Sequence, residues 1–407
     1  MRRGTAGLVG VVLALNATLV VGALFSERAL TIAVVFALDA VAGIARLLYE
    51  RLAAERASTA PPAMTPLRFL EPLYEMVADK RGSVRVAARF PSVSPRNLPY
   101  VVDQWVVCFA VFPVVVLAWT ALEPFEGGLG PTLLPAVLLV AAKHDRIVQT
   151  WAAAGRYATA SPRTVRPSRD IVYSTVVACV AVWSLSRTPP DPAQVTAATA
   201  LFCLPKFAFE CRECGVGPWP LTFDPAGGAT LDPLSVPDGP PRATVQNDRG
   251  VVRAWAVHDG LSYAVLFATS LTGFLGTVAV LGSGSLRVTL WAVAIALLAA
   301  PPVAVLTVVA VVWLGHANEE YRVYDDALVA YDSLLDEPQW VVPVEDISSV
   351  SVGDDPLGWT ILGLVHVLPF ETYPVVVERE GGDDIRLSAL ADPAALASAV
   401  RASPRSR

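Results

Sequence analysis

Charge is scarce in this 407-residue chain, in which Asp, Glu, Lys and Arg make up 17% of the residues, against about 25% in soluble domains. Lysine is scarcer still: of 31 basic residues only Lys80, Lys143 and Lys206 are lysines, leaving 28 arginines. Five scattered cysteines (Cys108, Cys179, Cys203, Cys211, Cys214) form an odd set, which excludes a disulfide framework. The chain has no H-E-x-x-H, G-x-S-x-G, Walker A or G-x-G-x-x-G pattern. The motif-bearing metalloproteases, serine hydrolases, P-loop enzymes and dinucleotide-binding enzymes are thereby set aside. Gly282-Ser-Gly-Ser is a turn, not a phosphate loop.

What the chain has in excess is apolar sequence, 54% of all residues, with a mean hydropathy of +0.50. The excess is gathered into runs, and a run of about 20 residues is long enough to cross a bilayer. They are Gly4–Phe25, Ala29–Tyr49, Tyr100–Leu122, a run from Pro131 that Lys143-His-Asp-Arg interrupts, Ile171–Leu185, Val195–Phe209, Leu261–Leu281 and Val288–Leu314. Pro301-Pro302 predicts a kink in the last. Arginines crowd the connections after the second and fourth runs and avoid the alternate ones. This bias predicts a multi-pass protein of the cell membrane with both termini in the cytoplasm. The expected fold is thus an α-helical polytopic bundle of about eight transmembrane helices, partnered by the lipid bilayer, plus a small C-terminal β-barrel or sandwich with one terminal helix.

The charges divide the chain. Residues 317–407 carry 17 acids against 6 arginines, a net of −11, and residues 1–316 carry 20 acids against 25 bases, a net of +5. Such asymmetry marks two environments. The expected organisation is a six-span body over 1–214, a Pro/Gly-rich cytoplasmic linker over 215–257, a two-span hairpin over 258–316 and an acidic soluble domain over 317–407. In that domain the hydrophobic period becomes that of short strands, as in Tyr321-Arg-Val-Tyr, Ala327-Leu-Val-Ala-Tyr, Trp340-Val-Val-Pro-Val, Ile347-Ser-Ser-Val-Ser-Val, Val375-Val-Val and Ile385-Arg-Leu. Asp392-Pro393 predicts the start of a final helix, and Leu357–Phe370 is expected as the buried middle of the domain. The Lys-poor, Asp-rich composition is read as that of a halophilic archaeal protein, with a GC-rich genome as the alternative.

The tail resembles the bacterial PH-like domains. The residues that carry the resemblance are Glu320-Tyr-Arg-Val-Tyr-Asp-Asp-Ala-Leu-Val-Ala-Tyr, Val342-Pro-Val-Glu-Asp-Ile-Ser-Ser-Val-Ser-Val and Leu362-Gly-Leu-Val-His-Val. The resemblance implies a protein-interaction or membrane-proximal scaffold, and the chain is expected to be an integral membrane scaffold or regulatory protein whose cytoplasmic PH-like domain recruits a protein partner. It brings no lipid-binding residues, and the acidic tail departs from phosphoinositide-binding PH domains. The body resembles an uncharacterised multipass membrane family of halophilic archaea through Asp39, Lys80-Arg-Gly-Ser-Val, Pro95-Arg-Asn-Leu-Pro and Leu204-Pro-Lys-Phe. That family implies no activity.

No catalytic constellation emerges, and the chain leans away from being an enzyme. Asp39, in the middle of an apolar run, needs a partner. Arg46 and Lys206 are candidates, with Glu210 one turn from Lys206. This polar set reads either as an internal ion pair fixing helix packing or as the centre of a transporter or channel. Cys211 and Cys214, with His144, His258 and His316, are a low-specificity candidate set for zinc; otherwise no cofactor is expected. The arginine runs lack interleaved aromatics, so nucleic acid is not expected as a partner.

Overall fold

The computed structural model of the protein describes residues 10–12, 14–15, 17–18, 29–58, 71–101, 133–163, 165, 228–283, 286–353, 358–361, 365–369 and 373–403. In chain order these form helix α1 (Ala29–Leu52), strand β1 (Ala57–Ser58), helices α2 (Glu71–Ala78) and α3 (Leu133–Ala153), and strands β2 (Gly228–Ala229) and β3 (Ala243–Gln246). Two long helices follow, α4 (Arg249–Ser283) and α5 (Leu286–His316). Then come β4 (Glu319–Val323), β5 (Ala327–Asp332), β6 (Glu337–Pro343), β7 (Ile347–Val352), β8 (Gly358–Ile361), β9 (Val365–Pro369), β10 (Val375–Arg379), β11 (Ile385–Leu387) and helix α6 (Pro393–Arg401).

Among the described residues no helix is long and apolar enough to cross a membrane. That finding overturns the eight-span polytopic bundle and, with it, the multi-pass membrane placement with both termini in the cytoplasm. The apolar sequence of helices α1 and α3 is interrupted by charge. Helix α1 contains Asp39, Arg46, Glu50 and Arg51, and α3 runs unbroken through Lys143-His-Asp-Arg instead of stopping there. Helix α4 opens with polar turns holding Arg249, Arg253, His258 and Asp259, and Pro301 and Pro302 lie inside α5. The runs Tyr100–Leu122, Ile171–Leu185 and Val195–Phe209 lie outside the described residues, apart from residues 100–101. Nor is the apolar excess all core, since Leu261, Val265, Leu290, Leu298 and Leu306 on the hairpin are exposed.

The C-terminal half holds antiparallel sheets. One has four strands in the order β3-β4-β5-β6 and another has three in the order β11-β10-β7. Side chains from both sheets and α6 share one core, with Val323, Leu328, Ala330, Val375, Val377 and Leu396 buried. Alternation drives this packing: in β10, Val375 and Val377 point inward while Val376 and Glu378 do not. Helix α6 starts where Asp392-Pro393 predicts, with the Asp392 carboxylate accepting from Ala395 N at 2.8 Å. Strands β8 and β9 pair only with each other among the described residues.

Residues 228–257, part of the segment expected as a linker, supply structure. Strand β2 pairs with β1, and β3 pairs with β4 along Ala243–Gln246, adding a strand to the C-terminal domain from the far side of the helical hairpin. Its last residues turn directly into α4, where the Asp248 carboxylate accepts from Gly250 N at 2.7 Å and caps the helix. The base of the hairpin is sealed by α2: Val77 is buried against Val252, Trp255, Val308, Val311 and Val312.

Candidate functional site: a buried lysine clamp between helices and β domain

Helix α2 ends as its apolar face meets the base of the hairpin, and the chain turns there, with Lys80 N donating to Val77 O at 3.1 Å. That turn delivers Lys80 into the β domain. Its Nζ lies 2.8 Å from Glu319 Oε1 and 3.0 Å from Asp332 Oδ2. Lys80 is 5% exposed and Asp332 1%, so neither charge is left to water. The ammonium has three rotatable donors on a flexible stem, and two of them meet the two carboxylates here.

Each carboxylate is held in place from behind. Asp332 ends β5, and its other oxygen accepts from Leu334 N at 3.0 Å and Leu335 N at 3.1 Å, which fixes the turn into β6. Glu319 begins β4, and its Oε2 lies 3.1 Å from His316 Nδ1 and accepts from Tyr321 OH at 3.1 Å. Burial raises the Glu319 pKa, but the hydrogen bond and charge of His316, with Lys80 beside it, outweigh burial and hold the carboxyl at about 2. Burial and the neighbouring Glu319 push the Tyr321 phenol far above its usual range, so it stays a donor. The His316 ring stacks on Trp255, with centroids 4.7 Å apart. Trp255 Nε1 donates to Asp259, which also meets His258 Nδ1 at 3.2 Å.

The two residues after Lys80 are gripped as well. Arg81 N donates to Gln339 Oε1 at 2.8 Å, and Gln339 Nε2 donates back to Arg81 O at 3.3 Å. The Arg81 guanidinium donates to Asp232 O at 2.5 Å. Gly82 has φ +90°, and a Cβ there would stand 2.9 Å from Leu335 Cβ and 3.1 Å from Glu337 Cγ. Glycine is required for both reasons.

A second buried centre joins α1 to α3. Asp39 Oδ1 and Oδ2 lie 2.6 and 2.8 Å from Lys143 Nζ, and Oδ1 lies 3.0 Å from His144 Nε2. Burial, ahead of the Asp39 contact that opposes it, lowers the His144 pKa. The neutral ring then donates from Nε2, and its buried Nδ1 has no hydrogen-bond partner among the described residues. Beside it a cleft of about 180 Å³ is lined by Ala42, Arg46, Tyr49, Phe90, His144, Asp145 and Val148.

Of the residues singled out in the sequence, Asp39 is buried and, among the described residues, meets Lys143 and His144. Arg46 lies 3.8 Å from Glu50 instead. Lys206, Glu210, Cys211 and Cys214 lie outside the described residues. The three histidines of the zinc set are divided. His144 belongs to the Asp39 centre, while His258 and His316 sit at the base of the hairpin. Among the described residues no three His, Cys, Asp or Glu side chains are grouped to hold a metal. Lys80, Glu319 and Asp332 were not among the candidate site residues read from the sequence. The signal available was the rarity of lysine: both lysines within the described residues are buried in ion pairs. No family model matches the chain, and no curated protein or solved structure matches it either.

Proposed function

We propose that the chain is a scaffold or regulatory protein whose C-terminal β domain recruits a protein partner. The observation that carries this reading is the clamp itself, because the domain already grips a segment of the chain from outside its own strands. It holds residues 80–82 by an ion pair, by backbone hydrogen bonds and by shape, the three means that peptide-binding modules combine. The resemblance of the tail to PH-like domains supports the reading, as do its four- and three-stranded antiparallel sheets and closing helix. The surface left over is acidic: Glu345, Asp346, Glu378, Glu380, Asp383 and Asp384 are exposed around the ends of β7 and β10. A field of that sign favours basic partners and repels nucleic acid. By contrast Asp39 is closed off by its own lysine and histidine, as a group that fixes helix packing should be.

A photo-crosslinking side chain placed at Asp346 or Glu380 of the full chain tests this in its source cell. It should trap one protein reproducibly, while the same group at Leu290 on the hairpin traps none. Trapping confined to Leu290 overturns the proposal.

A further inference from the structure

The corner between β5 and β6 reads a short sequence, and we infer that it is a recognition site for a Lys-x-Gly segment of a partner protein, occupied in this structure by the chain's own Lys80-Arg81-Gly82. The inference rests on the proposal that the β domain recruits a protein, and it names what is recruited.

Each position of the tripeptide is read differently. The first places a primary ammonium between two buried carboxylates, 2.8 and 3.0 Å away, one of them fixed by its own turn. Within β4–β6 the middle position is gripped through its backbone, by the paired N–H and carbonyl contacts to the Gln339 amide, while the Arg81 guanidinium donates to Asp232 O outside those strands. The third must be glycine, since the backbone is left-handed and Leu335 stands 2.9 Å from where a Cβ would lie. A contact made only to fasten helices to a sheet needs no such reading, and a buried hydrophobic patch would serve. The seat belongs to the domain rather than to the segment: Asp332, Glu319 and Gln339 all come from β4, β5 and β6 or their ends. The own segment is tethered and therefore present at high effective concentration. A partner gains access when that segment is released, which makes the clamp a competition between an internal and an external ligand.

The test uses the full chain carrying Lys80→Ala and a fluorescent peptide with the sequence of residues 75–86. Fluorescence anisotropy should show this chain binding the peptide at least about ten-fold tighter than the wild type, whose site is filled. Changing the peptide's Lys to Ala or its Gly to Ala should each weaken binding by about ten-fold or more, and so should Asp332→Asn in the chain. Should Lys80→Ala fail to fold, Gly82→Ala unseats the segment by a different route and is measured with the same peptides. Equal binding of a scrambled peptide, or no binding by either variant, overturns the site. So does exchange of the segment between two copies, seen as a dimer when wild-type and Lys80→Ala chains are mixed. Failure of the peptide alongside a trapped partner at Glu380 would remove this site and leave the recruiting role standing.

Discussion

Lys143 and Lys80 are both buried against carboxylates, at 1% and 5% exposure, yet they tie together very different stretches of the protein. Lys143 and His144 reach Asp39 across 104 and 105 residues and join two helices that pack on each other. Lys80 reaches Glu319 and Asp332 across 239 and 252 residues and joins the end of α2 to a β domain with a core of its own. The first pair closes a local packing arrangement, whereas the second reports whether two separately built parts are docked. Buried ion pairs of equal quality can thus carry unequal information. What matters is whether the elements they connect would stay together without them.

The sharpest way to break this comparison is to remove each lysine. Lys80→Ala and Lys143→Ala should each cost about 3–5 kcal/mol, because each leaves a buried carboxylate uncompensated. Only Lys80→Ala should speed proteolysis within residues 228–246, measured by limited digestion followed by mass spectrometry. Equal protection in the two variants would erase the distinction.

Acid separates the centres next. The Glu319 pKa is lowered from 4.5 to about 2 in the folded protein. Its contribution is therefore complete above 4.5 and is lost as pH falls to about 2, an effect on the order of 3 kcal/mol. The His144 pKa is lowered from 6.5, so the folded protein binds its proton less readily than the unfolded chain does. Stability from that residue is present above 6.5 and declines as pH falls below it. On acid titration the Asp39 centre should weaken first and the Lys80 centre last. Glu319→Gln should flatten only the lower-pH part of the curve from denaturant unfolding.

Glycine substitutions refine the same contrast at smaller size. Gly82→Ala meets both a positive φ and a 2.9 Å contact, whereas Gly155, at φ +63°, has nothing within 4 Å. The first should cost about 2–3 kcal/mol and the second about 1 kcal/mol, measured by thermal unfolding. Smallest of all is Asp392→Ala, which removes the cap on Ala395 N and should cost about 1 kcal/mol while leaving peptide binding at the clamp unchanged.

The strands of the C-terminal domain were legible because alternation is a local signal: β5, β7 and β10 begin at Ala327, Ile347 and Val375, where their β-branched runs begin. Helix α6 was legible for the same reason, from Asp392 and Pro393. Strand β3 was not, since Ala243–Gln246 lies in a Pro/Gly-rich stretch and finds its partner β4 only across the whole helical hairpin. Reading long apolar runs as membrane spans failed because run length does not show how charge inside a helix is used. Asp39 and Lys143 both sit in apolar helices and neutralise each other once those helices pack.

By itself, then, the sequence determined the local features: where strands alternate, where the last helix is capped, that residues 317–407 carry a net charge of −11, and that lysine is rationed to three sites. The tertiary structure decided which carboxylates those lysines meet. A buried ammonium has to be matched wherever it lands, but any of the 37 acidic residues could in principle match it. Only the approach of α2 to the β5–β6 turn, set by apolar packing along the base of the hairpin, brings Lys80 to Glu319 and Asp332.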